Sequence, residues 1–197
     1  MKNNKKNKNS HSDKLKKITV EPFYLRHWKV LFLIVILIVY GQTISFDFVH
    51  LDDTKIIVDN HDKISKLSNI PDAFVTQYGF DQGSPYYRPI ILISFIIDSQ
   101  FSGISPVFYH ISNIIFHYLT VYFLFLLFIE LKISKHIAFM LSLIFAVHPV
   151  LTNAVVWIAG RNDLLACLFS VLSFLYFIKY TAAGTTKNFI LHIIFFL

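Results

Sequence analysis

The chain has 197 residues, 55% of them hydrophobic and only 15% charged, with 21 phenylalanines and a formal net charge of +6. At a mean hydropathy of +0.56, a soluble domain of this size cannot hide so much apolar surface, so the composition points to an integral membrane protein. The single cysteine, Cys167, sits in an apolar run and excludes an internal disulfide, and the absence of CxxC, HExxH and GxGxxG leaves a zinc ribbon, a zincin or a dinucleotide fold without support.

Residues 1–27 read as a basic arm. Nine of the 18 basic residues lie within residues 1–30 (Lys2, Lys5, Lys6, Lys8, Lys14, Lys16, Lys17, Arg26, Lys29) against two acids. The Asn/Lys/Ser-rich start has no apolar period and predicts disorder. An arm for nucleic acid would look similar, but a polybasic run directly before a membrane span reads as a cytoplasmic topology signal, so no nucleic-acid partner is expected. The apolar run that follows is too long and too far from the start for a cleaved secretory signal.

The first span is predicted at about residues 28–45, with Trp28 and Tyr40 suited to its two interfaces. An exoplasmic loop then runs over residues 46–106. Its polar part, 46–88, holds seven acids (Asp47, Asp52, Asp53, Asp59, Asp62, Asp72, Asp81) and three lysines. The lysine and arginine count before the span, set against that in the loop, predicts a cytoplasmic N-terminus and an exoplasmic loop, whether the membrane is a bacterial plasma membrane or an endoplasmic reticulum. Residues 55–60 (KIIVDN) and 69–75 (NIPDAFV) read as short surface helices or turns, with Pro71 at a helix start. Residues 90–101 are apolar but too few to span, and Asp98 interrupts them, so they predict a helix lying along the membrane face.

Further spans are predicted at about 107–129, 136–150 (breaking at His148-Pro149), 162–180, and 189–197, the last cut off at Leu197. Half a span would leave backbone polar groups unsatisfied in lipid, so the chain reads as the N-terminal part of something longer. No repeat of 20–50 residues is visible.

The adjacent pair Asp52-Asp53 is the most informative polar feature. Two carboxylates in a partly dry site at a membrane edge repel each other, and one can become a base; alternatively the pair caps a helix beginning near Thr54. On the same predicted side lie Tyr86, Tyr87, Arg88, Pro89, His110, Asn113, His117, His148, Asn153, Trp157, Arg161, Asn162 and Asp163. Polar residues at this depth default to function. His110, Asn113 and His117, at i, i+3 and i+7, share one helix face. The plainer readings are an interfacial anchor for Arg88, interhelical glue for the histidines, a belt residue for Trp157, and a helix-start anion for Asp163 with Asn162 as cap. No His/Asp pair has diagnostic ligand spacing, so no metal ligand is assigned and a divalent metal is a minority reading.

In order, the pieces FVHLDDTKIIVDN (48–60), YYRPIILISFIIDSQFSG (86–103), PVFYHISNIIFH (106–117) and AVHPVLTNAVVWIAGRNDLLACLFSVLSF (146–174) resemble the membrane half of the transmembrane-and-tetratricopeptide-repeat O-mannosyltransferase family. That family belongs to the GT-C class of multi-spanning glycosyltransferases. The resemblance covers roughly residues 28–180, and its last block is the most specific. It implies an all-α integral membrane fold, a GT-C-type helical bundle with a large first exoplasmic loop. It also implies an inverting glycosyltransferase that moves a sugar, mannose or a similar hexose, from a polyprenyl or dolichyl phosphate to a protein Ser/Thr hydroxyl. The family's acidic base maps to Asp52 or Asp53. Its tyrosine-arginine-proline element maps to Tyr87, Arg88 and Pro89, its second-span residues to His110 and Asn113, and its later elements to His148, Pro149, Gly160, Arg161 and Asp163. Arg88 and Arg161 are the candidates for the lipid phosphate, since a guanidinium matches phosphate oxygens bidentately. Many relatives have Glu where this chain has Asn153, and the remaining spans and repeats are absent from it. The competing expectation is a non-catalytic, partner-binding membrane module of the same fold. A transporter would want mid-span charges, whereas the polar residues here gather at one end.

Overall fold

A computed structural model describes residues 21–50, 52–77 and 86–197; most of the basic arm, Leu51 and Asp81 fall outside them. All regular structure among the described residues is helical. After a single turn, α1 (Phe23–Arg26), comes α2 (Trp28–Tyr40), which continues as a 3₁₀ turn to Ser45. Together with α5 (Val107–Glu130) and α8 (Arg161–Ala183), the stretch Trp28–Ser45 is long and apolar enough to cross a membrane. A fourth crossing is available if α6 (Lys135–Ala146) and the segment Pro149–Val156, which ends in α7 (Thr152–Val156), count as one span bent by 47°. The bend falls at His148-Pro149, because proline cannot donate the backbone bond that would continue α6. α9 (Thr186–Phe196) is shorter and packs back on α8.

α5 is the hub, packing against α2, α6, α7 and α8. α2 presents to it a stripe with a four-residue period, Trp28, Phe32, Ile36 and Tyr40, all buried. Trp28 lies 4.2 Å from the Phe125 ring, Phe32 stacks on Phe139 at 5.2 Å, and Tyr40 stands edge-on to His117 at 5.3 Å. Both Trp28 and Tyr40, expected near the two interfaces, turn their rings into the bundle. A four-residue spacing keeps both on the face that meets the bundle, where packing rather than hydrophobicity holds helices together in lipid.

The two ends of the bundle differ. At one end Lys135 pairs with Glu21, Lys179 lies 3.7 Å from Glu130, and the Tyr24 hydroxyl meets His136 Nδ1 at 2.5 Å. At the other end sits the segment after α2. It forms a π turn over Thr54–Val58, a short α3 (His61–Ile64), 3₁₀ turns at Leu67–Asn69 and Pro71–Phe74, and α4 (Pro89–Ser102). Ile56, Ile57 and Ile64 bury against Leu92, Phe95 and Ile96 of α4, which makes a second small core over the mouth of the bundle. α4 ends at Gly103, whose φ of +57° suits only a residue without a Cβ. This packing buries one face of the apolar helix α4.

Candidate functional site

Three buried polar centres tie the turn between α7 and α8 to the rest of the chain. The first is Arg161, which is 0% exposed. Its Nε donates to Asn113 Oδ1 (2.7 Å), one terminal nitrogen donates to Ser94 Oγ (2.9 Å) and pairs with Asp98 Oδ2 (2.6 Å), and the other donates to the Tyr109 carbonyl (2.8 Å). The guanidinium also faces the Phe95 ring at 4.6 Å. A fully buried cation persists only when it is paired and saturated in this way. Asp98 is held in turn by the Ser112 hydroxyl at 2.5 Å. Burial pushes its carboxyl above the usual carboxylate range, and Arg161 and Ser112 pull against that. Asp98, read from the sequence as an interruption, is thus the counter-ion of Arg161. An acid inside an apolar helix was the available signal.

The second centre is Asn113. Besides accepting from Arg161, it donates to the carbonyls of Val155 (3.2 Å) and Trp157 (3.1 Å). The third is Asp53. The adjacent acids part company: Asp52 is exposed, whereas Asp53 is 1% exposed. Asp53 Oδ2 accepts from Val49 N (3.1 Å) and Oδ1 from Ala159 N (2.9 Å). Asp53 therefore does not cap the helical turn that follows it. It bridges the segment after α2 to the α7–α8 turn. Burial is the main reason its carboxyl rises above 3.8; the two amides act the other way, and the Asp52 charge adds to the rise.

Beside these anchors lies a cavity of about 620 Å³, lined by Phe46, Asp47, Val49, His110, Pro149, Val150, Thr152, Asn153, Val156 and Trp157. The volume suits a small-molecule or sugar-sized ligand. The segment after α2 forms one wall, the bent segment after Pro149 the other, and α5 the floor. His110 is 2% exposed and stands edge-on to Phe46 at 6.5 Å, with the Phe46 backbone as its polar neighbour. The turn into α8 packs tightly on α7. A Cβ on Gly160 would lie 2.8 Å from the Asn153 carbonyl oxygen and 3.0 Å from that of Trp157.

The remaining sequence candidates are dispersed. Tyr87 is exposed and donates its hydroxyl to the Phe74 carbonyl (2.9 Å). Arg88 is half-buried and stacks on Tyr86 at 4.5 Å. His148 is exposed, its Nδ1 accepting from Val150 N (3.2 Å) across the bend. Asp163 is exposed in the first turn of α8 and accepts from Asn162 Nδ2 (3.3 Å). His117 Nε2 bonds the Ala146 carbonyl (2.9 Å), joining α5 to α6. Arg161, taken from the sequence as a phosphate ligand, is instead enclosed by protein acceptors, because its position at the head of α8 points it into the α4–α5 junction. Asp47, unremarked in the sequence beside the Asp52-Asp53 pair, faces the cavity. Among the described residues no three His, Cys, Asp or Glu side chains gather as metal ligands.

Apolar spans, a polar end and a pocket beneath a bent segment define an all-α membrane protein with a ligand-sized site at one end. Over 142 residues the chain is 34% identical to protein O-mannosyl-transferase TMTC1 of Homo sapiens, covering 69% of this chain and 16% of that protein. It is 33% identical to TMTC2 of Homo sapiens over 152 residues (73% and 18%) and 31% identical to TMTC3 of Mus musculus over 144 residues (71% and 15%), both also named protein O-mannosyl-transferases. The chain belongs to this transmembrane-and-tetratricopeptide-repeat family, and it spans roughly a sixth of the length of the relatives it matches. No family model matches it, and no solved structure does.

Proposed function

We propose that the protein is a membrane glycosyltransferase of the protein O-mannosyltransferase type. It moves a hexose from a polyprenyl- or dolichyl-phosphate carrier to a protein serine or threonine hydroxyl, with inversion, on the exoplasmic side. The observation that carries this reading is the cavity at the polar end of the spans, in a chain whose relatives bear that name. The basic run before α2, set against the acidic segment after it, supports placing that end outside the cytoplasm. The donor already has a good leaving group in its lipid phosphate. What the protein supplies is a base for the hydroxyl, a seat for the sugar and exclusion of water. The base is a carboxylate of segment 46–53. Arg88, at the start of α4, is the guanidinium assigned to the lipid phosphate, whose oxygens it matches bidentately. The Arg161–Asp98–Asn113 network holds the wall of the site rather than the substrate.

The test uses membranes containing the whole protein, radiolabelled polyprenyl-phosphate mannose and Ser/Thr peptides. A labelled, base-eliminable glycopeptide is expected. Membranes that give no more label than those without the protein, across dolichyl and bacterial polyprenyl donors, refute the reading.

A further inference from the structure

We propose that Trp157 is the platform on which the hexose of the lipid-linked donor stacks, with Thr152 and Asn153 beside it taking the sugar's hydroxyls. For the identity of its ligand this rests on the glycosyltransferase reading above.

The sequence gives Trp157 the look of a membrane-belt residue, but the structure puts it in the wall of the cavity at the polar end of the spans. Its backbone is held from both sides. The N–H donates to the Asn153 carbonyl (3.1 Å), and the Trp157 carbonyl accepts from Asn113 Nδ2 (3.1 Å) and Gly160 N (3.0 Å). The turn has little slack, since a Cβ on Gly160 would already lie 3.0 Å from that carbonyl oxygen. The side chain is fixed as well. It packs on the small core over the mouth of the bundle, and its indole Nε1 is buried with the Asp53 carboxylate as polar neighbour. The residue as a whole is only half-buried. With its N–H turned inward and its backbone engaged, what Trp157 shows to the cavity is ring carbon.

A rigid aromatic surface beside polar side chains is what a pyranose requires. One face of a hexose is a patch of C–H groups that stacks on a ring, and its rim is a set of hydroxyls that seek hydrogen bonds. Thr152 and Asn153 open α7 and line the same cavity, Asn153 four positions before Trp157 and so on its side of the turn. Because the ring is already held, stacking on it costs little conformational freedom. An isoprenoid chain would also cover a ring, but it has no use for an amide and a hydroxyl beside it.

The experiment measures binding, so that it stands apart from the transfer assay. The purified whole protein in detergent is titrated calorimetrically with citronellyl phosphate and with citronellyl-phosphoryl mannose, which differ only in the hexose. Wild type is expected to prefer the mannosyl probe by about tenfold or more, the sum of one aromatic contact and the hydroxyl hydrogen bonds. In Trp157→Leu that preference should fall by about 3–10-fold, the scale of an aromatic contact, with affinity for citronellyl phosphate unchanged. Trp157→Phe, which keeps a ring, should stay within about threefold of the wild-type preference. The ratio of the two affinities does not depend on the fraction of protein that is folded, so a destabilised variant still reports on the platform. The proposal is overturned if wild type binds the two probes alike or binds neither, if Trp157→Leu keeps the preference, or if Trp157→Phe loses as much of it as Trp157→Leu. It is also overturned if Trp157→Leu weakens both probes equally, which would make the ring a seat for the isoprenoid. A wild type that shows the Trp157-dependent preference but transfers no sugar refutes the glycosyltransferase reading alone; one that transfers sugar while Trp157→Leu keeps the preference refutes the platform alone.

Discussion

Arg161 offers the sharpest test of how the candidate site is held. Its guanidinium donates to three acceptors, Asn113 Oδ1, Ser94 Oγ and the Tyr109 carbonyl, at 2.7–2.9 Å, and ion-pairs with Asp98 Oδ2 at 2.6 Å. The side chain is fully buried, so solvent cannot replace any partner that a substitution removes. Arg161→Ala leaves the Asp98 carboxylate buried without its cation, and breaking a buried pair in this way costs about 3–5 kcal/mol. Arg161→Lys keeps the charge, but a single ammonium on a flexible stem cannot span the same fork. It keeps Asp98 and leaves two or three acceptors unmet. At about 1–3 kcal/mol for each unsatisfied group, with incomplete additivity, the expected cost is ~2–4 kcal/mol. The double replacement Arg161→Met with Asp98→Leu removes both charges together, so its cost should fall below the sum of the single costs. Unfolding midpoints of the purified protein in detergent, with chemical denaturant, measure all of these. Because Asn113 passes the network's hold to the Trp157 carbonyl (3.1 Å), which sits on the cavity wall, transfer activity should fall with stability. The reasoning fails if Arg161→Lys and Arg161→Ala both unfold within about 0.5 kcal/mol of wild type, the range of an uninvolved surface site.

Gly160→Ala should destabilise by about 1–3 kcal/mol, the range for overpacking, because the new Cβ meets the Asn153 and Trp157 carbonyl oxygens at 2.8 and 3.0 Å, and neither backbone atom can swing aside; an unchanged unfolding midpoint would contradict it. Asp53 predicts a pH effect. Its folded-state carboxyl lies above 3.8, chiefly through burial, so between 3.8 and that raised value the folded protein holds more proton than the unfolded chain. By linkage its contribution to stability then falls as pH rises through that window and is flat above it. Midpoints measured across the window should therefore slope less in Asp53→Asn than in wild type, and parallel curves would sink the assignment.

Much of this was legible in the sequence, and each part for a local reason. An apolar run of membrane-crossing length declares itself whatever it packs against, which is why stretches such as Trp28–Ser45, Val107–Glu130 and Arg161–Ala183 stand out in composition alone. The break at His148-Pro149 follows from proline's missing donor. The cluster of polar residues at one end of the spans, and the wording of residues 146–174, carried the family. What the sequence could not decide is which polar side chains face a ligand and which face one another. Asp52 and Asp53 are neighbours in the chain, yet one is exposed and the other is sealed by amides 4 and 106 positions away. Arg161 has the charge for a phosphate, but two elements, α4 and α5, converge on it through Ser94, Asp98, Tyr109 and Asn113. Asp47 carries no local mark that distinguishes it from the other acids of its loop, yet it lines one cavity together with residues of the segment after Pro149. Burial and partnership are properties of the assembled molecule. They depend on residues 48 to 106 positions apart, so only the tertiary structure could turn a list of acids and arginines into anchors and a site.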